Sequence, residues 1–410
     1  MRINCITRPS NRLWTLGDQF LVSGSNFFLS ILFVKYLGME SYGIFSLYWM
    51  LVLFGSGIQQ SLITMPLYTL FTKNANPKSY LGATLKLQLL FSAISACASF
   101  LIIILIQLAY PEIKTLDAVL ISLITGIYTL QDFLRRAFFV LETPKKALKI
   151  DWIGFGVLPF ALMILNHVDL LGMSSVLMMI VFLKSISILL GWGIIRHQVN
   201  FELPLNVVRR SHWVYGKFLF ASSLLQWSAG NVFILFSALI IGPIAIGALR
   251  IAQNILGVLN IFFLYLENVI PIEGARIYHE SGTQNFKEYI ITVSKRYAIY
   301  LVAALLLIYI FQDNILHLLY GSELDGYQWL IPAFCMLYVF IFLGTIIRFI
   351  LRTIERNNVL FYGYAISAIV GLACVYPLLT ICGLYGVMIG LFLTQIVSLT
   401  VYIYYLKFKL

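Results

Sequence analysis

Charge is what this 410-residue sequence has least of: Asp, Glu, Lys and Arg together make up 11% of it, where soluble domains carry about a quarter. So few charges cannot clothe a soluble surface for a chain of this length, which excludes an ordinary soluble enzyme or binding module. Histidine and cysteine are scarce too, five of each. His167, His197, His212, His279 and His317 stand singly, so no histidine-based metal or catalytic centre is expected. Cys97, Cys335, Cys374 and Cys382 fall inside apolar runs and Cys5 outside them. With no CxxC spacing they read as small packing residues. No paired carboxylates stand in a long loop, and the longest outer connection, around 316–326, is too short to hold a catalytic domain. The chain is not expected to be an enzyme.

What is abundant is hydrocarbon. Hydrophobic residues are 60% of the sequence and the mean hydropathy is +0.91, which identifies an integral membrane protein. A helical span needs roughly 20 apolar residues. Spans are predicted at 13–37, 42–71, 85–109, 116–134, 150–166 and 173–195, then at 215–241, 245–272, 297–316, 327–347, 360–381 and 384–406. The expected fold class is an all-α polytopic membrane protein of about 12 transmembrane helices. No small-residue cleavage site follows the first apolar run, so the basic start "MRINCITRPSNR" is expected to be retained.

The net charge of +11 is a topology signal before it is a sign of any nucleic-acid partner. Of 28 basic residues, 24 fall in alternate connections, from Arg2, Arg8 and Arg12 to Lys407 and Lys409. Only Lys35 and Lys114 lie in the opposite set, beside Glu40, Glu112, Asp117, Asp169, Asp313, Glu323 and Asp325. The positive-inside rule then puts both termini in the cytoplasm, and anionic membrane lipids become natural partners.

The sequence also repeats. "NFFLSILFVKYLGMESYG" at 26–43 resembles "NVFILFSALIIGPIAIG" at 231–247, and Arg135-x6-Glu142 returns as Arg348-x6-Glu355, a spacing that predicts one shared helix face. Two parallel six-helix halves around a central cavity are expected, at 1–195 and 218–410, joined by a basic cytoplasmic linker at 196–217. Candidate cavity residues are polar groups within spans: Gln19, Ser23 and Asn26, with Ser30, at 3.6-residue spacing, then Gln226, Asn231, Gln253 and Asn254. Interhelical hydrogen bonding is the other use for such groups. Lys184 and Arg250 are intramembrane cations, costing about 3 kcal/mol or more at the bilayer centre, and are candidates to attract an anionic substrate. Asp18 and Glu267 are candidates for ion coupling or for salt bridges.

The stretches "LWTLGDQFLVSGSNFF" and "LGMESYGIF", the segment "FLRRAFFVLETPKKALKIDW" and the six-plus-six layout resemble the Wzx-type O-antigen and polysaccharide-unit flippases. These belong to the multidrug/oligosaccharidyl-lipid/polysaccharide exporter superfamily. The resemblance implies translocation of undecaprenyl-diphosphate-linked oligosaccharide across the bacterial inner membrane, by alternating access through a cavity with cationic residues. It implies no cofactor beyond a coupling ion, Na+ or H+, and a polysaccharide polymerase or chain-length regulator as partner. The alternatives are a cation-coupled drug or metabolite antiporter of the same superfamily and a membrane enzyme of polysaccharide assembly. A peptidoglycan-precursor flippase would carry two further spans.

Overall fold

The computed structural model describes residues 9–109 and 114–407; Arg2, Cys5, Arg8, Glu112 and Lys409 lie outside the described residues. Twelve membrane-length helical segments are present among the described residues. In the amino-terminal half these are α1 (9–37), α2 (39–73), α3 (Pro77–Ala109), α4 (Thr115–Val140), α5 (Pro144–His167) and α6 (Met173–Gln198). The rest are α7 (Leu205–Ile240), α8 (243–281), α9 (283–310), α10 (Leu330–Thr353), α11 (357–382) and α12 (384–407). Large apolar side chains such as Phe20, Leu108, Phe182 and Ile381 face outward. That is the inverse of a soluble protein and what contact with lipid tails requires.

α1 and α2 meet at Gly38 without an intervening loop, as do α8 and α9 at Gly282 and α11 and α12 at Gly383. Gly38 has φ 78°, ψ 167°, a region that side-chain-bearing residues essentially never occupy, so only glycine can break the helix there. Its repeat counterpart Gly242 takes the same kind of conformation, φ 116°, ψ 173°.

The second sequence match also has a structural counterpart, though not the expected one. Helices α4 and α10 do not carry Arg135 with Glu142, or Arg348 with Glu355, on one face, because each glutamate lies just past its helix end. Glu142 has φ 58° and Glu355 φ 59°. In each case the next residue donates its N–H back across the turn, Thr143 to the Phe138 carbonyl and Arg356 to that of Leu351, both at 2.8 Å. These are the helix-closing bonds of a left-handed C-terminal cap.

The described chain divides into two compact units. The first comprises residues up to Gly38 with Tyr48–Ser223; the second comprises Met39–Leu47 with the chain from Leu224 onward. The core of the first unit is built on α4 and includes Leu67, Tyr80, Leu81, Phe133, Phe138 and Ile150. The stretch expected to be a basic linker at 196–217 falls within this unit and packs on α3. Asn200 donates to the Lys78 carbonyl at 3.1 Å, Lys86 reaches the Phe201 carbonyl at 2.8 Å, and His212 pairs with the Tyr80 hydroxyl at 2.6 Å.

In the second unit α10 packs on α8, α9, α11 and α12, and Gly363 and Gly390 make room for Tyr402 and Phe233. The short piece 39–47 lies on the start of α8 reciprocally. A Cβ on Gly43 would overlap the Pro243 carbonyl, and one on Gly247 would overlap that of Met39. Positions 39 and 43 are the repeat counterparts of 243 and 247, so the two matched stretches exchange contacts as a local two-fold would.

Candidate functional site

The first unit holds a buried charge network that sequence reading only partly foresees. Predicted span four ends at 134, but the helix runs on to Val140 and carries Gln131, Asp132, Arg135 and Arg136 inside the protein. Arg136 pairs with Asp132 one turn back at 2.7 Å. Arg135 reaches Asp18 of α1 at 2.8 Å and Asp151 of α5 at 2.9 Å. The two arginines, read from sequence as loop charges, are therefore tolerated deep in the helix because carboxylates from three helices meet them.

Lys184 belongs to the same network. It is 1% exposed and donates to Gln131 Oε1 at 2.8 Å, while Gln131 Nε2 donates to Asp151 Oδ1 at 3.1 Å. Its ammonium lies 3.7 Å from the Phe155 ring centroid and 4.9 Å from that of Tyr128, a cation–π enclosure. Phe155 lies in a π-helical turn, Trp152–Gly156, and Gly154 in the same turn leaves the space into which the Gln131 amide fits. Three carboxylates thus face three cations. Lys184 is enclosed by its own unit, and Asp18 is engaged by Arg135. Two carboxylate oxygens of the network, Asp18 Oδ1 and Asp151 Oδ2, are buried with no hydrogen-bond donor among the described residues, and of these Asp151 Oδ2 is met by the Arg135 charge.

The second unit differs in kind. Arg250 on α8 donates to Gln253 Oε1 at 2.7 Å, and the adjacent Asn254 donates to the Tyr42 hydroxyl at 2.6 Å. Among the described residues no carboxylate comes within ion-pair distance of Arg250; every ion pair lies in the first unit. Further along α8, Glu267 lines a cavity of about 310 Å³ with Asn260, Tyr338, Thr345 and Arg348. Arg348 donates to Thr345 at 2.6 Å. Sequence reading places Arg348 in a connection, whereas α10 extends past it.

The polar stripe of α1 is split. Ser30 is buried, Gln19 is half-buried, and Ser23 and Asn26 are exposed, while the inward face is marked by Asp18 and Ser25. On α7, Gln226 is exposed, and Asn231 donates back to the Trp227 carbonyl at 3.0 Å.

No family model and no curated protein matches this sequence. Solved structures do match the fold. An inward-facing multidrug resistance MATE family transporter of the MOP superfamily superposes with a TM-score of 0.77 at 14% identity, over 94% of this chain and 93% of the other. The lipid II flippase MurJ, in an inward closed conformation, gives 0.70 at 13% identity over 96% and 87%. A MOP superfamily transporter from Pyrococcus furiosus gives 0.59 at 14% identity over 96% and 90%, and its binding pocket is described as of reverse polarity, suggesting a different function. The chain therefore has the all-helical polytopic fold of these membrane transporters.

Proposed function

We propose that this protein is a flippase that carries an undecaprenyl-diphosphate-linked oligosaccharide, an O-antigen or related polysaccharide repeat unit, from the cytoplasmic to the periplasmic leaflet of the inner membrane by alternating access. The observation that carries this reading is Arg250. A guanidinium in a membrane helix, with no carboxylate among the described residues to neutralise it, provides for an anion, and it repels the organic cations that a drug antiporter would move. Gln253 and Asn254 beside it offer further hydrogen bonds to phosphate or sugar. The sequence resemblance to polysaccharide-unit flippases and the fold shared with a lipid II flippase support the same reading.

The antiporter alternative retains one observation in its favour, the buried Asp18 oxygen without a donor, where a proton or sodium ion would bind. That feature serves ion coupling equally well in a flippase.

The test is a liposome assay in which lectin accessibility reports the movement of undecaprenyl-diphosphate-linked oligosaccharide. The wild-type protein should expose the sugar. Arg250→Ala should lose at least tenfold in rate with its thermal stability unchanged, and Arg250→Lys should recover part of it. Wild-type protein that is folded yet inactive with and without sodium or proton gradients would sink the flippase reading.

A further inference from the structure

On the outer flank of the first unit, α1 and α5 enclose an open groove of about 1220 Å³. The two helices run parallel there. Asn11 donates to the Glu142 carbonyl at 3.4 Å, Lys145 stands over the Trp14 ring at 5.1 Å, and Gly156 lies against Leu21. The matched positions differ by a near-constant offset along both chains, so contact is kept turn after turn.

The groove is apolar along its length, with Phe20, Phe28, Phe160 and Met163 among its walls and all four exposed. Its floor is made by absence: a Cβ on Gly17 or Gly24, two turns apart on α1, would meet nothing within 4 Å. Among the described residues its only charged lining residues are Lys145 and Lys149, one turn apart at one end, and both are exposed. No acidic residue lines it among the described residues.

Length decides what fits. From Trp14 to Leu32 the lining of α1 runs 18 residue steps, about 27 Å at 1.5 Å per step. The hydrocarbon core is about 30 Å thick, so one leaflet is about 15 Å deep. A phospholipid chain, confined to its leaflet, would fill only half of such a groove. A single chain much longer than a leaflet, with an anionic head at the lysine end, would fill all of it.

We propose that this α1–α5 groove seats the hydrocarbon chain of a polyprenyl diphosphate, with its phosphates on Lys145 and Lys149, and so holds the lipid alongside the protein while the headgroup is moved. The inference rests on the flippase reading and adds to it a docking place for the lipid anchor. It also gives the basic start of α5 a specific role beyond topology.

The experiment is native mass spectrometry of the purified full-length protein in detergent, with undecaprenyl diphosphate or phosphatidylglycerol as the added lipid. Wild-type protein should retain undecaprenyl diphosphate in preference to phosphatidylglycerol. Gly24→Leu and Gly17→Leu, which fill open space, should each cut that retention at least tenfold, and K145A/K149A should do likewise. As a measurement independent of those variants, a photoreactive residue at Phe28 should cross-link to the polyprenyl chain, and one at Leu105, exposed on α3, should not.

Equal retention of the two lipids, unchanged retention by both glycine variants, or equal cross-linking from the two sites would overturn the groove assignment. Flipping of the lipid-linked oligosaccharide by wild type and Gly24→Leu alike would remove the groove and leave the function standing. Groove binding without flipping by wild type would do the reverse.

Discussion

Lys184 and Arg250 look alike in sequence, each a lone cation in an apolar run, and the fold treats them oppositely. Lys184 is matched in a cluster of three acids and three bases; Arg250 donates to the Gln253 amide and has no carboxylate partner among the described residues. Removing one member of a buried ion network strands its partner, at about 3–5 kcal/mol. Arg135→Gln, which leaves Asp18 and Asp151 unpaired, is therefore expected to lower the thermal midpoint in detergent more than Lys184→Met does. Restoring neutrality should help: Lys184→Met combined with Asp151→Asn should be more stable than the two single effects sum to, by about 1 kcal/mol or more. Strict additivity in that cycle would show that Lys184 and Asp151 do not act as a unit. Sequence reading found Lys184, Arg250 and Asp18 because a charge in an apolar run is conspicuous. It missed Asp132, Asp151, Arg135 and Arg136 because charges at a span's end are indistinguishable from loop charges until a neighbouring helix supplies the partner.

Helices are the level at which the sequence was most legible. The expected and observed segments correspond one to one, since an apolar run of membrane length has few alternatives to a helix. Their ends were not legible: α4, α5 and α10 each extend beyond the apolar run, carried on by buried charge or by a proline-initiated first turn. The loopless junctions at Gly38 and Gly383 were hidden for another reason, as a glycine amid apolar residues carries no turn signal, whereas Gly282 stands in the polar run "HESGTQNF", which reads as a loop although the two helices meet there directly. The caps of α4 and α10 give a direct test. A non-glycine residue in the left-handed conformation costs about 1–2 kcal/mol, part of which glycine's freedom in the unfolded chain offsets. Glu142→Gly and Glu355→Gly should each raise stability by about 0.5–1 kcal/mol, read as a higher midpoint of thermal unfolding. A lower midpoint would mean the carboxylates make contacts that matter more than backbone strain.

For the molecule as a whole, charge placement and internal repetition were the informative signals. The clustering of basic residues on alternate connections predicts that a reporter fused after Leu410 will read as cytoplasmic, and a periplasmic signal would break the even-span topology. The repeat predicts its own weak points. Gly43→Ala and Gly247→Ala would drive a methyl group into a carbonyl of the other stretch and should each destabilise the protein by about 1–3 kcal/mol. Gly17→Ala, with open space before it in a helix interior, should not destabilise and serves as the control.

The reciprocal glycine contact also bears on how the protein is made. Gly43 and Gly247 are 204 positions apart, and at about 5–20 residues per second a ribosome needs roughly 10–40 s to bridge them. For that interval residues 39–47 wait in the membrane without the surface they are shaped to meet. Gly43 is well suited to the delay: at the point of closest approach it offers no side chain for a wrong neighbour to grip, and the backbone of its helix is already satisfied.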